Sequence, residues 1–271
     1  LFRVAMARKP KVVPMPKISS NEMTLAVRIV AGVLAPIARM MFKVEVINLD
    51  KLPKSGAYIL APNHATNIDA LAVAYFIWVK TKRAPHFLTK ERLFSIPLVG
   101  KILLAAGQIP VFRTGGQRND DSLRAAHAYL QAGHSVCVFP EGTLTRDPDS
   151  WPMRGKTGAI RLALDSGVPV YPVGQWGSEK IMERYSSKFR PGFWKKVTVL
   201  VGDEIDLARF RKPNPTPAEV LEATEVVMSA ITKLVEQLRG EKAPDRRWDP
   251  VAAGQATTGN FIKKAQKKES N

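Results

Sequence analysis

At 271 residues the chain is long enough for one α/β core without division into further domains. Its 41 Lys and Arg against 24 Asp and Glu leave a formal charge of +17, more than an enzyme for neutral ligands has use for, so an anionic substrate or surface is expected. Four histidines and one cysteine, none at C-x-x-C or H-E-x-x-H spacing, argue against a protein-built zinc site, and a single cysteine excludes an internal disulfide.

The first residues contain no long apolar h-region or small-residue cleavage site, so no secretory leader is expected. Ser19 and Glu22 stand at capping-box spacing and predict a helix over residues 23–42, largely apolar and broken by Arg28, Pro36 and Arg39. Only ten uncharged residues separate Arg28 from Arg39, about half of the ~20 that a spanning helix needs. The helix is therefore read as interfacial, lying on one leaflet, or as packed on the domain.

Strands are predicted at residues 43–47 and 57–61, the second closed by Pro62. Asn63-His64-Ala65-Thr66-Asn67-Ile68-Asp69 follows, and a helix is predicted over residues 69–79. His64 thus falls in a strand-to-helix loop, with the Asp69 carboxylate near enough to fix its tautomer and steady an imidazolium, which is what a general base requires. From Lys80 to Arg118 there are eight basic residues and one acid, Glu91, so the positive charge clusters after this loop. No zinc finger, basic zipper or aromatic ribonucleoprotein signature accompanies it, so no nucleic acid is expected; a membrane surface with anionic lipids fits better.

Further strands are predicted at residues 86–89 and at 108–112, the latter ending in Arg113, a guanidinium able to grip phosphate or simply a surface acid. A helix is predicted over residues 119–132, stopped by Gly133, with His127 on its core or rim. His86 and His134 adjoin strands without a partner pattern. The strand at 135–139 is broken by Pro140 and delivers Glu141, Gly142 and Thr143 into a loop; Cys137 within it is a core residue. No G-x-S-x-G elbow exists, and Gly155-Lys156-Thr157 imitates the end of a phosphate-binding loop without its first glycine, so that motif is rejected. A base without covalent nucleophile or metal points to direct attack by an activated hydroxyl on an already activated electrophile.

Strands are predicted at 168–173 and 197–201, with Phe189 to Trp194 between them as an interfacial anchor or, preferably, a packed turn. Thr216 and Glu219 form a second capping box ahead of a helical stripe ending at Gly240, and residues 241–271 read as a disordered tail apart from a contact by Trp248. The alternation predicts an α/β domain, a mixed and largely parallel sheet flanked by helices, with an amphipathic membrane-associating helix in front of it.

Four stretches occur in a telling order: His64 to Asp69, Gly107 to Arg113, Phe139-Pro140-Glu141-Gly142-Thr143, and Val168-Pro169-Val170-Tyr171-Pro172. In this the chain resembles the 1-acylglycerol-3-phosphate acyltransferase family over residues 57–173, including a lysine-bearing segment at 88–94. With the pattern of helices and strands, this divides the chain into an arm and interfacial helix (1–42), an acyltransferase domain (43–240) and a tail (241–271). It implies His64 as general base and Asp69 as its orienting carboxylate. Arg113, with Glu141, Gly142 and Thr143, would bind the acceptor phosphate. Lys90 or backbone N–H groups near Gly142 would help with phosphate or the developing oxyanion. The implied acceptor is a lysophospholipid, the donor an acyl thioester on coenzyme A or acyl carrier protein, with no metal or other cofactor, at the cytoplasmic face of the cell membrane. Leu144, where the family often has Arg, and Tyr171 in the fourth block leave acceptor preference open. Glycerol-3-phosphate, a lysophosphoinositide or a glycolipid stay as alternatives, as does a non-catalytic membrane-binding module.

Overall fold

The computed structural model describes residues 13–112, 117–186 and 188–257. Seven strands form one sheet: β1 (Lys43–Ile47), β2 (Ile59–Pro62), β3 (His86–Lys90), β4 (Ile109–Val111), β5 (Val136–Cys137), β6 (Val170–Trp176) and β7 (Lys196–Val201). Their order is β1-β7-β6-β2-β5-β3-β4. Every pair is parallel except β6 with β7, so the mixed, largely parallel sheet is as expected. The helices are α1 (Leu25–Met41), α2 (Asp69–Phe76), α3 (Glu91–Phe94), α4 (Val99–Ala105), α5 (Gln117–Gln131), α6 (Gly158–Ser166) and α7 (Pro217–Arg239).

Period-two alternation decides which helix covers which face. Ile59, Ala61, Val136 and Val170 point into the core shared with α5, α6 and α7, whereas Tyr58, Leu60, Cys137, Tyr171 and Val173 point toward Val73 and Phe76 of α2. Both faces are thus covered, and the central strands read as continuous apolar runs. α7 lies against β6 so closely that a Cβ on Gly174 would come within 2.6 Å of Leu234 Cβ. Its start obeys the sequence: Thr216 and Glu219 make the reciprocal capping box, and Gly240 closes it in the left-handed conformation.

Three expectations are corrected. The first helix is capped by Thr24, whose side chain accepts from Val27 N–H, and not by Ser19 with Glu22. Glu22 is drawn away because Arg83, nearly buried, takes it as an ion pair at 3.0 Å and donates in addition to the carbonyls of Gly56 and Gly133. Arg83 therefore leaves the basic cluster offered to an anionic partner. The second helix ends at Phe76 and widens into a π-turn over Ile77–Thr81, where Thr81 Oγ1 donates to Ile77 O at 2.6 Å. The tail folds back as far as residue 257: Arg247 reaches Glu225 and Thr232 of α7, Arg154 N donates to Trp248 O, and Trp248 Nε1 donates to Gln255 Oε1. Residues 258–271 lie outside the described residues.

No helix of the described residues is long and apolar enough to cross a membrane. On α1 the buried residues are Val27 and Ala38, while Leu25, Ile29, Val33, Ile37 and Met40, three to four residues apart, make an exposed apolar stripe.

Candidate active site

Strands β6, β2, β5 and β3 run in one direction, so the loops leaving their C-terminal ends emerge together, the usual place for a site on an open parallel sheet. The loop after β2 carries His64, that after β5 carries Glu141, Gly142 and Thr143, and that after β6 carries Ser178.

His64 is fixed on every side. Its N–H donates to Glu141 Oε1 at 2.7 Å, and its carbonyl accepts from Thr145 N–H at 2.7 Å. Its ring stacks on Phe139, with centroids 4.1 Å apart. Nδ1 lies 3.2 Å from Asp69 Oδ2. Since a carboxylate only accepts, Nδ1 carries the proton and Nε2 keeps its lone pair for an incoming hydroxyl. Asp69, at the first residue of α2, is itself held: Oδ2 also accepts from Thr66 N–H at 2.7 Å, and Oδ1 accepts from Thr66 Oγ1 at 3.1 Å and from Ser178 Oγ at 2.5 Å. Behind the loop, Asn63 and Gln175 exchange three hydrogen bonds, locking the end of β2 to β6.

Glu141, expected at the acceptor, is fully buried, with its second oxygen accepting from Met153 N–H at 3.1 Å. Burial pushes its carboxyl up to about 8, against the pull of the two N–H groups. It offers no face to a phosphate; it stands behind His64 and sets that loop against the 141–153 segment. The Gly142 N–H donates to Phe139 O at 2.9 Å, closing the turn that follows β5. Cys137 is buried and its thiol is pushed well up by burial, in keeping with a core residue.

His64 opens on a cavity of about 990 Å³. Lys90, Gly142, Thr143, Lys156 and Arg161 line it together with His64, at the sheet end. Asp120, Gln108 and Ser122 also reach the lining, and between α1, α2 and α4 the cavity is an apolar slot, where Ala31, Ala35, Ala38, Ala70 and Ala74 leave room that larger side chains would close, and Leu34, Leu71 and Ile102 supply the walls. A cationic mouth joined to an apolar slot suits a ligand with an anionic head and a hydrocarbon tail. Arg113 lies outside the described residues.

Sequence reasoning missed Ser178, Asn63 with Gln175, and Lys156. Lys156 belongs to the rejected phosphate-loop look-alike, yet it is brought to the cavity: its N–H donates to Pro140 O at 2.8 Å, and its side chain crosses Gly142, where a Cβ would come within 2.9 Å of Lys156 Cδ. Gly142 has φ +65°, so both its conformation and this contact require glycine. The available signal was a lysine just ahead of a helix, the positive end at which anions collect.

Comparison with known proteins adds to this geometry. The Acyltransferase family model matches residues 43–176. A chloroplastic 1-acyl-sn-glycerol-3-phosphate acyltransferase of Brassica napus is 30% identical over 142 residues, covering 52% of this chain and 39% of its own. A 1-acyl-sn-glycerol-3-phosphate acyltransferase of Borreliella burgdorferi is 26% identical over 200 residues, covering 73% of each chain. Among solved structures, the 1-acyl-sn-glycerophosphate acyltransferase PlsC of Thermotoga maritima superposes with a TM-score of 0.61 over 80% of this chain and 81% of its own, at 24% identity, a likeness of fold. The chain spans 39% and 38% of the length of the chloroplastic relatives from Brassica napus and Arabidopsis thaliana.

Proposed function

Residues 43–176 make this chain a member of the acyltransferase family, and from that premise we propose that it moves a fatty acyl group from an acyl thioester to the free hydroxyl of lysophosphatidic acid, giving phosphatidic acid. The observation that carries the reading is the His64 Nδ1 to Asp69 Oδ2 contact of 3.2 Å at the edge of a cavity with a cationic mouth and an apolar slot.

His64 Nε2 takes the hydroxyl proton as the acceptor oxygen attacks the thioester carbonyl. The new C–O bond forms, the C–S bond breaks, and the proton held on the imidazolium goes to the departing thiolate. Asp69 steadies the cation meanwhile, and Thr66 and Ser178 keep its oxygens aimed. An alkyl hydroxyl is a poor nucleophile at neutral pH, so the base contributes about 10²–10⁴-fold, and holding the two substrates in line supplies further acceleration. Lys90, Lys156 and Arg161 surround the place for the acceptor phosphate, and the slot between α1 and α2 takes acyl chain. No cofactor beyond the thioester is part of this chemistry. The exposed stripe of α1 would rest in the acyl layer of one leaflet, at the cytoplasmic face, where acyl thioesters are made.

The test is acyl transfer by the purified chain, crossing lysophosphatidic acid, glycerol-3-phosphate and a lysophosphoinositide with thioesters of coenzyme A and of acyl carrier protein, and resolving products by mass. Phosphatidic acid is the expected product; transfer to the other acceptors with lysophosphatidic acid untouched would refute the substrate.

A further inference from the structure

The turn after the isolated bridge between Met182 and Phe189 has an unusual composition. Lys195 N–H donates to Gly192 O at 2.8 Å, closing a β-turn whose two corner positions are Phe193 and Trp194. Corners favour Gly for its backbone freedom, and Asn, Asp and Ser for the hydrogen bonds their short side chains make to the turn itself. Here the two rings stand 69% and 70% exposed, meeting edge to face with centroids 5.0 Å apart, and Phe189 beside them is 43% exposed. One exposed ring is commonplace; three in six residues form a patch.

The turn is also held still and placed. Lys195 Nζ donates to the carbonyls of Lys180 and Arg190, and Gly192 N–H donates to Met41 O at 2.9 Å, fastening the turn to the last residue of α1. The exposed stripe of α1 ends at Met40, so the aromatic corner continues that apolar surface around the helix end. Its charge is one-sided: Lys188, Arg190, Lys195 and Lys196 flank the rings with no acid from 188 to 196, although Arg190 meets Glu183 and Lys196 meets Glu45.

We infer that Phe193 and Trp194 are a second membrane anchor, entering the headgroup layer of an anionic bilayer toward which the local excess of positive charge draws them. This rests on the reading of α1 as lying on a leaflet. Trp settles at that depth, its ring apolar and its N–H polar, while Phe adds apolar area beneath it, and a single weak attachment holds a protein only marginally, whereas two hold it firmly. Two points of attachment also fix which way the domain faces, which one helix free to roll does not.

The experiment uses the full chain and vesicles of phosphatidylcholine with phosphatidylglycerol in equal parts. Phe193→Ser with Trp194→Ser should weaken sedimentation with these vesicles about ten-fold or more, since each ring loses most of its transfer into an apolar layer. Trp194→Phe should keep the binding and lose Trp194's share of the quenching by brominated lipid that wild type shows. Acyl transfer to acceptor dispersed in detergent should be unchanged in the double variant, and transfer to acceptor in vesicles should fall. Unchanged vesicle binding would overturn the inference, and so would a double variant that converts a dimer to a monomer without weakening vesicle binding, which would make the rings a self-contact. If wild type transfers no acyl group at all, the proposed function fails while vesicle binding still decides the anchor.

Discussion

His64 and His86 stand at the ends of two parallel strands of one mixed sheet and have opposite fates. His64 follows the C-terminal end of β2, has a carboxylate on Nδ1 and opens on a cavity. His86 starts β3, at the other end of the sheet, with Nδ1 3.0 Å from the Gly107 carbonyl and its ring packed between Tyr129, at 4.5 Å, and His134, at 5.4 Å. Burial lowers the His86 pKa to about 4, so it stays neutral. The residue type alone does not suit a histidine to the proposed role; a strand end open to a cavity, with a carboxylate behind the ring, does.

Exchanging the roles would break that contrast. His64→Ala should lower kcat by about 10²–10⁴-fold with little change in thermal unfolding, because the ring is at the cavity edge; a variant that kept its rate would remove the base. Asp69→Asn should cost about 10²-fold in kcat, because an amide no longer fixes the tautomer or steadies the imidazolium. Lys156→Ala should raise KM for lysophosphatidic acid about ten-fold with kcat nearly kept, and an unchanged KM would remove it from the phosphate. Ser178→Ala removes one of the four donors on Asp69 and should cost only a few-fold in kcat, about 1 kcal/mol. The smallest effect belongs to His86→Phe, read as the pH dependence of the urea midpoint. Because His86 is held below its ordinary 6.5, the unfolded chain binds the extra proton first, and stability is lost as pH falls from 6.5 to 4. The variant should be flatter than wild type over that range, with acyl transfer intact.

The His64–Asp69 pair was legible because its two members lie five residues apart on either side of a strand-to-helix loop, so local chain geometry alone brings them close. The strands were legible because buried parallel strands are plain apolar runs, and α7 because its cap and its stop are both local. Ser178 reaches Asp69 across 109 residues, and Gln175 reaches Asn63 across 112; only strand order, β6 beside β2, makes those contacts, and no local pattern encodes it. The loop that carries Glu141 was legible, but its burial was not, since its sequence neighbours do not tell that Met153 N–H closes on its second oxygen. The choice between a packed turn and an interfacial anchor was not legible at Phe189 to Trp194, because burial of a ring depends on what lies across from it, and Phe193 and Trp194 stand exposed among the described residues.

The Glu22–Arg83 pair decides how α1 can be removed. Arg83 is nearly enclosed, and Glu22 precedes the helix by only three residues. A version of the chain shortened past residue 22 strands a guanidinium in the interior, at about 3–5 kcal/mol, besides deleting the helix. Poor behaviour of such a version would then report an orphaned cation at the root of the domain, and pairing the deletion with Arg83→Met separates that penalty from whatever the helix does for itself.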